Sequence, residues 1–330
     1  MTKIRIIEVK SEIAAGTRGA SLGIDALKTA CLNRAYQNNI VEDQTFFAKH
    51  ARTEVPNAND TLFQKNKFPY AKRINGVRKV LNATCEHIAQ TIGQNMFPLV
   101  LAGDHGSAAG TIAGLKKAYP HRKLGVIWID AHADLHSPYT TPSGNMHGMP
   151  LAISLNDDNK ANQINTLDAE THEHWEALKN TGQPGAKLEG RHIVLIAGRD
   201  IEKEEQALID KYGIRNFTTE EVKQQGTDAI VQQTLDILQE CDMIYVSFDV
   251  DSMDPEITMG TGTPVPNGIS LEEAKALNIG FAQSPKLVCW EMVEINPTLD
   301  NEINLMAENA FEILEATAEA LIDSHQLVEA

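Results

Sequence analysis

The sequence predicts an α/β protein of three layers, with a mainly parallel central sheet between two layers of helices. Two observations predict it. Five apolar runs rich in Val and Ile recur along the chain: "FPLVLAGDHG" (97–106), "LGVIWIDAHAD" (124–134), "HIVLIAGRD" (192–200), "MIYVSFDVDSMDP" (243–255) and "KLVCWEMVEINP" (286–297). Each opens almost continuously apolar, as strands buried on both faces do, and then breaks into Gly, Asp, His, Glu or Pro. Between the runs lie stretches with apolar residues at three- and four-residue steps, the helical period. Strands alternating with helices give a parallel sheet covered on both sides, and ligands gather beyond the carboxyl ends of its strands.

The elements follow in order. "KIRIIEV" (3–9) reads as a first strand, and "TLFQKNKFPYAKRINGVRKVLNATCEHIAQTI" (61–92) carries helical spacing. The polar stretch 155–190 is long for a connection and predicts a short helix at "AETHEHWEAL" (169–178). His172 and His174 stand two apart there and do not share a helix face, so they read as solvated surface. "TDAIVQQTLDILQEC" (227–241) predicts a helix. "SLEEAKALNIGFAQ" (270–283) opens with a capping box, Ser270 and Glu273. "INLMAENAFEILEATAEALID" (303–323) reads as one long amphipathic helix. No internal repeat or low-complexity tract interrupts this order, so residues 1–330 are expected to form a single domain.

Composition excludes several function classes. The chain has 330 residues, 42% hydrophobic and 22% charged, with a formal net charge of −16. Such acidity repels phosphate backbones and anionic lipid, which argues against nucleic-acid and membrane partners. It reads as a solvated surface, with part of it open to divalent cations or a cationic substrate. No apolar run approaches the ~20 residues of a membrane helix. The opening "MTKIRIIEVKSEIAAG" lacks the long apolar core of a secretory signal, which predicts a cytoplasmic protein. Cys31, Cys85, Cys241 and Cys289 form no CxxC pair and are expected to be buried free thiols.

The strand ends carry the chemistry. They offer His105 from "GDHG", Asp130, His132 and Asp134 from "DAHAD", and Asp249 and Asp251 from "SFDVD". In extended chain, residues i, i+2 and i+4 point the same way, so each set is expected to project together. Four carboxylates and two imidazoles at one place repel unless cations neutralise them. The mixed His/Asp set suits ions such as Mn2+, and the absence of thiolates argues against structural zinc. Two divalent ions ~3.5–4 Å apart hold a water between them and depress its pKa, which implies hydrolysis by a bridging hydroxide. Strand-end capping explains a lone DxHxD or DxD equally well; the signal lies in their recurrence.

The blocks "GDHG", "DAHAD", "SGNMHGMPLA", "SFDVDSMDP", "GTGTPVPNG" and "EINP" together resemble the ureohydrolase family of arginases, agmatinases and related guanidino and formimino hydrolases. They span about residues 97–297 in the family's order, and "GTRGASLGIDALKTA" (16–30) resembles its opening segment more loosely. The "SGNMHG" run points to the arginase branch. The resemblance implies an arginase-like fold and two Mn2+ ions per subunit. His105, Asp130, Asp134 and Asp249 would bind one ion, and His132, Asp130, Asp249 and Asp251 the other. It implies that Glu294 grips the substrate guanidinium, that His147 shuttles protons, and that Asp134 relays a proton to the departing nitrogen. Thr141, Ser143 and Asn145 would hold an α-carboxylate, and Thr263 would lie near the guanidinium. On their residues alone, Glu294 reads equally as a surface acid, His147 as a loop histidine, and Ser143 and Asn145 as turn formers.

Two positions depart from the arginase pattern. His136 stands where an Asn is usual, and Glu202, followed by the supporting acid Glu205, stands where an Asp meets the α-amino group. Gly106 replaces a common Ser. The changes at His136 and Glu202 lie at the amino-acid end of the substrate, away from the metals. The expected function is hydrolysis of L-arginine to L-ornithine and urea. The alternatives are another guanidino substrate, such as agmatine or a guanidino acid, or a catalytically silent metal-binding homologue. The resemblance also implies a homo-oligomer, trimer or hexamer.

Overall fold

Ile4 and Ile6 pack on one side of the central sheet and Ile7 and Val9 on the other, and the same division continues across its neighbours. Leu99, Ile127, Val246 and Trp290 join the first layer; Val100, Trp128, Tyr245 and Val293 join the second. This two-sided burial is why the strands read as unbroken apolar runs. The computed structural model describes residues 3–325.

Eight strands form one sheet: β1 (Lys3–Val9), β2 (Ala51–Glu54), β3 (Met96–Ala102), β4 (Leu124–Ile129), β5 (Ile193–Ile196), β6 (Arg215–Phe217), β7 (Met243–Asp249) and β8 (Leu287–Val293). Their order is β2-β1-β3-β8-β7-β4-β5-β6, and every pairing is parallel. Helices Gly23–Gln37, Leu271–Ala282 and Leu305–His325 cover the first apolar layer. Ile74–Gly93, Ala108–Ala118 and Ala169–Lys179 cover the second. The expected three-layer α/β architecture is therefore present. Between β3 and β4 the chain crosses the sheet, and β7 and β8 later fill the gap. The carboxyl ends of β3, β8, β7, β4 and β5 thus stand side by side around a switch in strand order, where α/β sheets bind ligands.

Local signals explain some helix starts. Ser270 Oγ accepts the Glu273 N–H at 3.2 Å while Glu273 Oε2 accepts the Ser270 N–H at 2.8 Å, the expected capping box. Asp168 caps the helix predicted near 169–178 by accepting the Thr171 N–H at 2.7 Å. The expected free thiols are all buried and unpaired. Among the described residues no helix is long and apolar enough to cross a membrane.

Two readings are corrected. The helical spacing over 61–92 belongs to a helix only from Ile74 onward. Pro69 disfavours helix at Phe68, and the Lys72 N–H is drawn away to the Gly144 carbonyl at 2.8 Å. Sequence reasoning also missed β2 and β6. These short edge strands, "ARTE" and "RNF", have alternating or partial burial and no apolar run to announce them.

Asn278 and Trp290, both fully buried, join the helix Leu271–Ala282 to β8: the indole N–H donates to Asn278 Oδ1 at 2.8 Å. Trp290→Phe strands that oxygen without a donor, and the expected cost is about 1–3 kcal/mol. Chemical denaturation checks it: the midpoint falls with the slope unchanged, whereas an unmoved midpoint refutes the role given to this bond.

Candidate functional site

Asp130 extends the β4 ladder by one residue, its N–H donating to the Ile196 carbonyl at 3.0 Å. The chain then turns. Asp130 Oδ1 accepts the His132 N–H at 2.7 Å, and Asp134 adopts φ +51°. A parallel turn follows β7, where Asp249 Oδ1 accepts the Asp251 N–H at 2.8 Å. The acids and histidines expected to converge do so. The mechanism differs from the extended alternation read from the sequence, because short side-chain-closed turns aim them.

His105, carried just beyond β3, has Nδ1 at 3.0 Å from Asp130 Oδ2, 3.1 Å from Asp134 Oδ2 and 3.2 Å from Asp249 Oδ2. His132 Nδ1 lies 3.3 Å from Asp130 Oδ1 and 3.1 Å from Asp251 Oδ2. Asp130 therefore offers one oxygen to each imidazole. His105–Asp130–Asp134 and Asp130–His132–Asp251 each bring three ligand atoms within 4.8 Å. His105 Nδ1 and Asp130 Oδ2 are buried and close, yet neither has an aligned hydrogen-bond partner. Lone pairs that approach without a shared proton suit a common cation. Burial and the charges of Asp251 and Asp130 push Asp249 well above the usual carboxylate range, so the cluster strongly favours added positive charge.

A second layer fixes these groups. His105 Nε2 meets Ser247 Oγ at 2.8 Å, which leaves Nδ1 for the acids, and its ring stacks on Trp128 at 4.0 Å. Below it Glu291, fully buried, accepts from Ser107 Oγ at 3.1 Å and Tyr245 OH at 2.6 Å. Asp104 accepts from Ser11 Oγ and the Ala14 N–H, tying the N-terminal loop to the site, and burial pushes it up to about 6. The Ala14 carbonyl in turn accepts the His147 N–H at 3.2 Å. Sequence reasoning missed these supports. Asp104 was visible inside "GDHG", but nothing in a strand interior marks Ser247 or Glu291 as facing a site.

A cavity of about 240 Å3 opens over the cluster. His105, His132, Asp134, Asp249, Asp251, His136, Ser143, Asn145, His147, Glu202, Glu205 and Thr263 all stand on its wall. Asp200, which sequence reasoning did not select, also lines it. Asp130, Thr141 and Glu294 are buried beside wall residues: Asp130 against His105 and His132, Thr141 against Gly144, Glu294 against His147. Thr141 is buried, its Oγ1 accepting the Gly144 N–H at 2.9 Å. Ser143 Oγ accepts the Asn145 N–H at 3.1 Å, and Thr263 Oγ1 donates to Asp251 Oδ2 at 3.1 Å.

Glu294 follows β8 at φ +67° and is 2% exposed. Its Oε1 accepts the His105 N–H at 2.9 Å and faces His147 Nδ1 at 3.1 Å. Burial works against the Glu294 charge, but His147 and the His105 N–H outweigh it and hold the carboxyl below its usual range. Burial also works against a charged His147, and the Glu294 contact reverses this, carrying the imidazole up to about 8.

The two departures from the arginase pattern touch each other. His136 Nε2 is in close contact with a Glu202 carboxylate oxygen and lies 3.7 Å from Glu205 Oε2, while Nδ1 meets Thr140 Oγ1 at 3.1 Å. Glu202 and Glu205 also form the capping box of the helix Lys203–Tyr212. Glu205 accepts the N–H groups of Leu135 and Glu202 at 3.1 Å each, and burial pushes it up to about 7.

The model of the Arginase family matches residues 2–318. The chain is 32% identical to the arginase of Bacillus subtilis over 317 residues, 95% of this chain and 96% of that protein. It is 33% identical to the arginase of Brevibacillus brevis, covering 94% and 95%. Among solved structures it resembles the native arginase of Bacillus caldovelox with a TM-score of 0.79 and 30% identity, over 96% of this chain and 98% of that one.

Metal content tests the ligand geometry. Asp130→Asn removes the charge that faces both imidazoles. After dialysis the expected content is under half that of the unaltered protein by elemental analysis. Equal content would rule out a shared ligand at Asp130.

Proposed function

From the premise that the chain belongs to the arginase family, we propose that it hydrolyses the guanidino group of L-arginine to L-ornithine and urea with two Mn2+ ions. The observation that carries this reading is Asp130, with one oxygen toward His105 and the other toward His132. His105, Asp130, Asp134 and Asp249 would hold one ion, and His132, Asp130, Asp249 and Asp251 the other. When bound, two such cations would supply Lewis acidity and lower the pKa of water at the site towards neutral.

The chain's own groups do the rest. Glu294 Oε1 is committed to the His105 N–H and to His147, which fixes the carboxylate and leaves Oε2 for a guanidinium. A planar cation held by a fixed carboxylate is oriented by charge-assisted hydrogen bonds. His147, beside Glu294 at the wall, exchanges protons with solvent, and Asp134 passes a proton toward the departing nitrogen. Asn145, Ser143 and Thr141 form the corner for the α-carboxylate, with Thr263 near the guanidinium. His136, Glu202 and Glu205 border the ammonium end. The same reading carries a single domain, a cytoplasmic setting and a homo-oligomer, trimer or hexamer. The contact between His136 and Glu202 favours a second reading, in which another guanidino substrate is preferred, because it sets an imidazole against two carboxylates at the amino-acid end of the cavity.

Urea release from Mn2+-loaded protein over L-arginine, agmatine, 4-guanidinobutyrate and 3-guanidinopropionate tests both. L-arginine is expected to lead. A different leader transfers the reading to that substrate, and no urea from any of them, with two metals bound, overturns it. Glu294→Gln should lower kcat/KM by roughly 10²-fold or more while metal content stays level. Unchanged turnover would remove Glu294 from guanidinium binding.

A further inference from the structure

We propose that Lys72 is a specificity-determining residue that supplies the positive charge for the carboxylate of a guanidino amino acid. The inference rests on the function proposed above and assigns one corner of its cavity. The wall carries Asp134, Asp200, Glu202, Glu205, Asp249 and Asp251, and neither lysine nor arginine. A substrate carboxylate entering this field is repelled unless a cation meets it. The candidate metal ligands stand at the deep end of the cavity. At the outer end His136 lies against the carboxylates of Glu202 and Glu205, so acids surround that end as well. Arg199, close by, gives its guanidinium to backbone carbonyls, among them Asp251 and Val265.

Lys72 meets the wall where Ser143 and Asn145 stand. Its Nζ donates to Asn145 Oδ1 at 3.0 Å, one of an ammonium's three donors, so two remain for a ligand held at that amide. The lysine is braced. Its own N–H donates to the Gly144 carbonyl at 2.8 Å. Gly144 has φ +75°, and a Cβ there would stand 2.0 Å from the Pro69 carbonyl oxygen, so the two loops interlock through a glycine. Because backbone contacts already dock the loops, the Nζ bond is not needed to hold them. Lys72 is half-buried, and its ammonium reaches the cavity's edge through Asn145, which stands on the wall.

Lys72→Met and Lys72→Arg, both metal-loaded, test this. The ratio of kcat/KM for L-arginine over agmatine, its counterpart without a carboxylate, is expected to fall about fivefold in Lys72→Met, chiefly through KM. In Lys72→Arg it should stay within about twofold. Calorimetric binding of L-ornithine against 1,4-diaminobutane reads the same contact without turnover and should shift by the same ratio. Equal loss for both members of a pair, or no loss, assigns Lys72 to loop structure and overturns the proposal. Turnover of L-arginine with an unmoved ratio sinks Lys72 alone. Failure of the unaltered protein to cleave any guanidino acid, with ornithine binding still weakened selectively in Lys72→Met, sinks the proposed function and leaves Lys72 standing.

Discussion

The site depends on one carboxylate reaching two imidazoles. Asp130 can do so because it is the last residue of the β4 ladder and the first of a turn that its own side chain closes. Strand pairing sets its position, and the turn sets the direction of His132. Its reach on the other side requires His105 to arrive from β3, two strands removed across β8 and β7. The whole parallel sheet, with its switch in strand order, is what brings those residues within 3.3 Å of one oxygen or the other.

Concentrating so many acids at a buried sheet edge is costly, and the surroundings are arranged to contain that cost. Burial raises Asp249 and Glu205 together with Asp104 and Glu291, while Asp130 is held low by the two histidines despite its burial. Groups pushed in opposite directions in and around one cavity mark a functional centre more than a structural one. The hydrogen bonds from Ser107 and Tyr245 to Glu291 extend this containment beneath the ligand layer, so that buried polar atoms are met by other polar atoms.

Much of this was legible before any coordinates. Unbroken apolar runs marked the central strands because both of their faces are covered, and Ser270 with Glu273 marked a helix start because that bond is local. The convergence of His105, Asp130 and Asp251 was legible because a parallel sheet gathers its carboxyl ends. What escaped was set by distant partners. The strands β2 and β6 owe their form to a neighbour's edge, and Lys72 is placed by a loop that pairs with Gly144. The backbone route that brings Asp134 and Asp251 into the cluster was misread for a different reason: their segments leave extended geometry as soon as the ladder ends.

Glu202 and Glu205 border the substrate cavity and also begin the helix Lys203–Tyr212. A drift in ligand preference at Glu202 is thereby filtered by folding. Residues that end that helix poorly are removed before their catalytic merit is ever expressed, while Asp, Asn, Ser and Thr remain admissible caps. The accessible routes to a new substrate at this wall are therefore few, short and polar, and they pass through helix-initiating side chains.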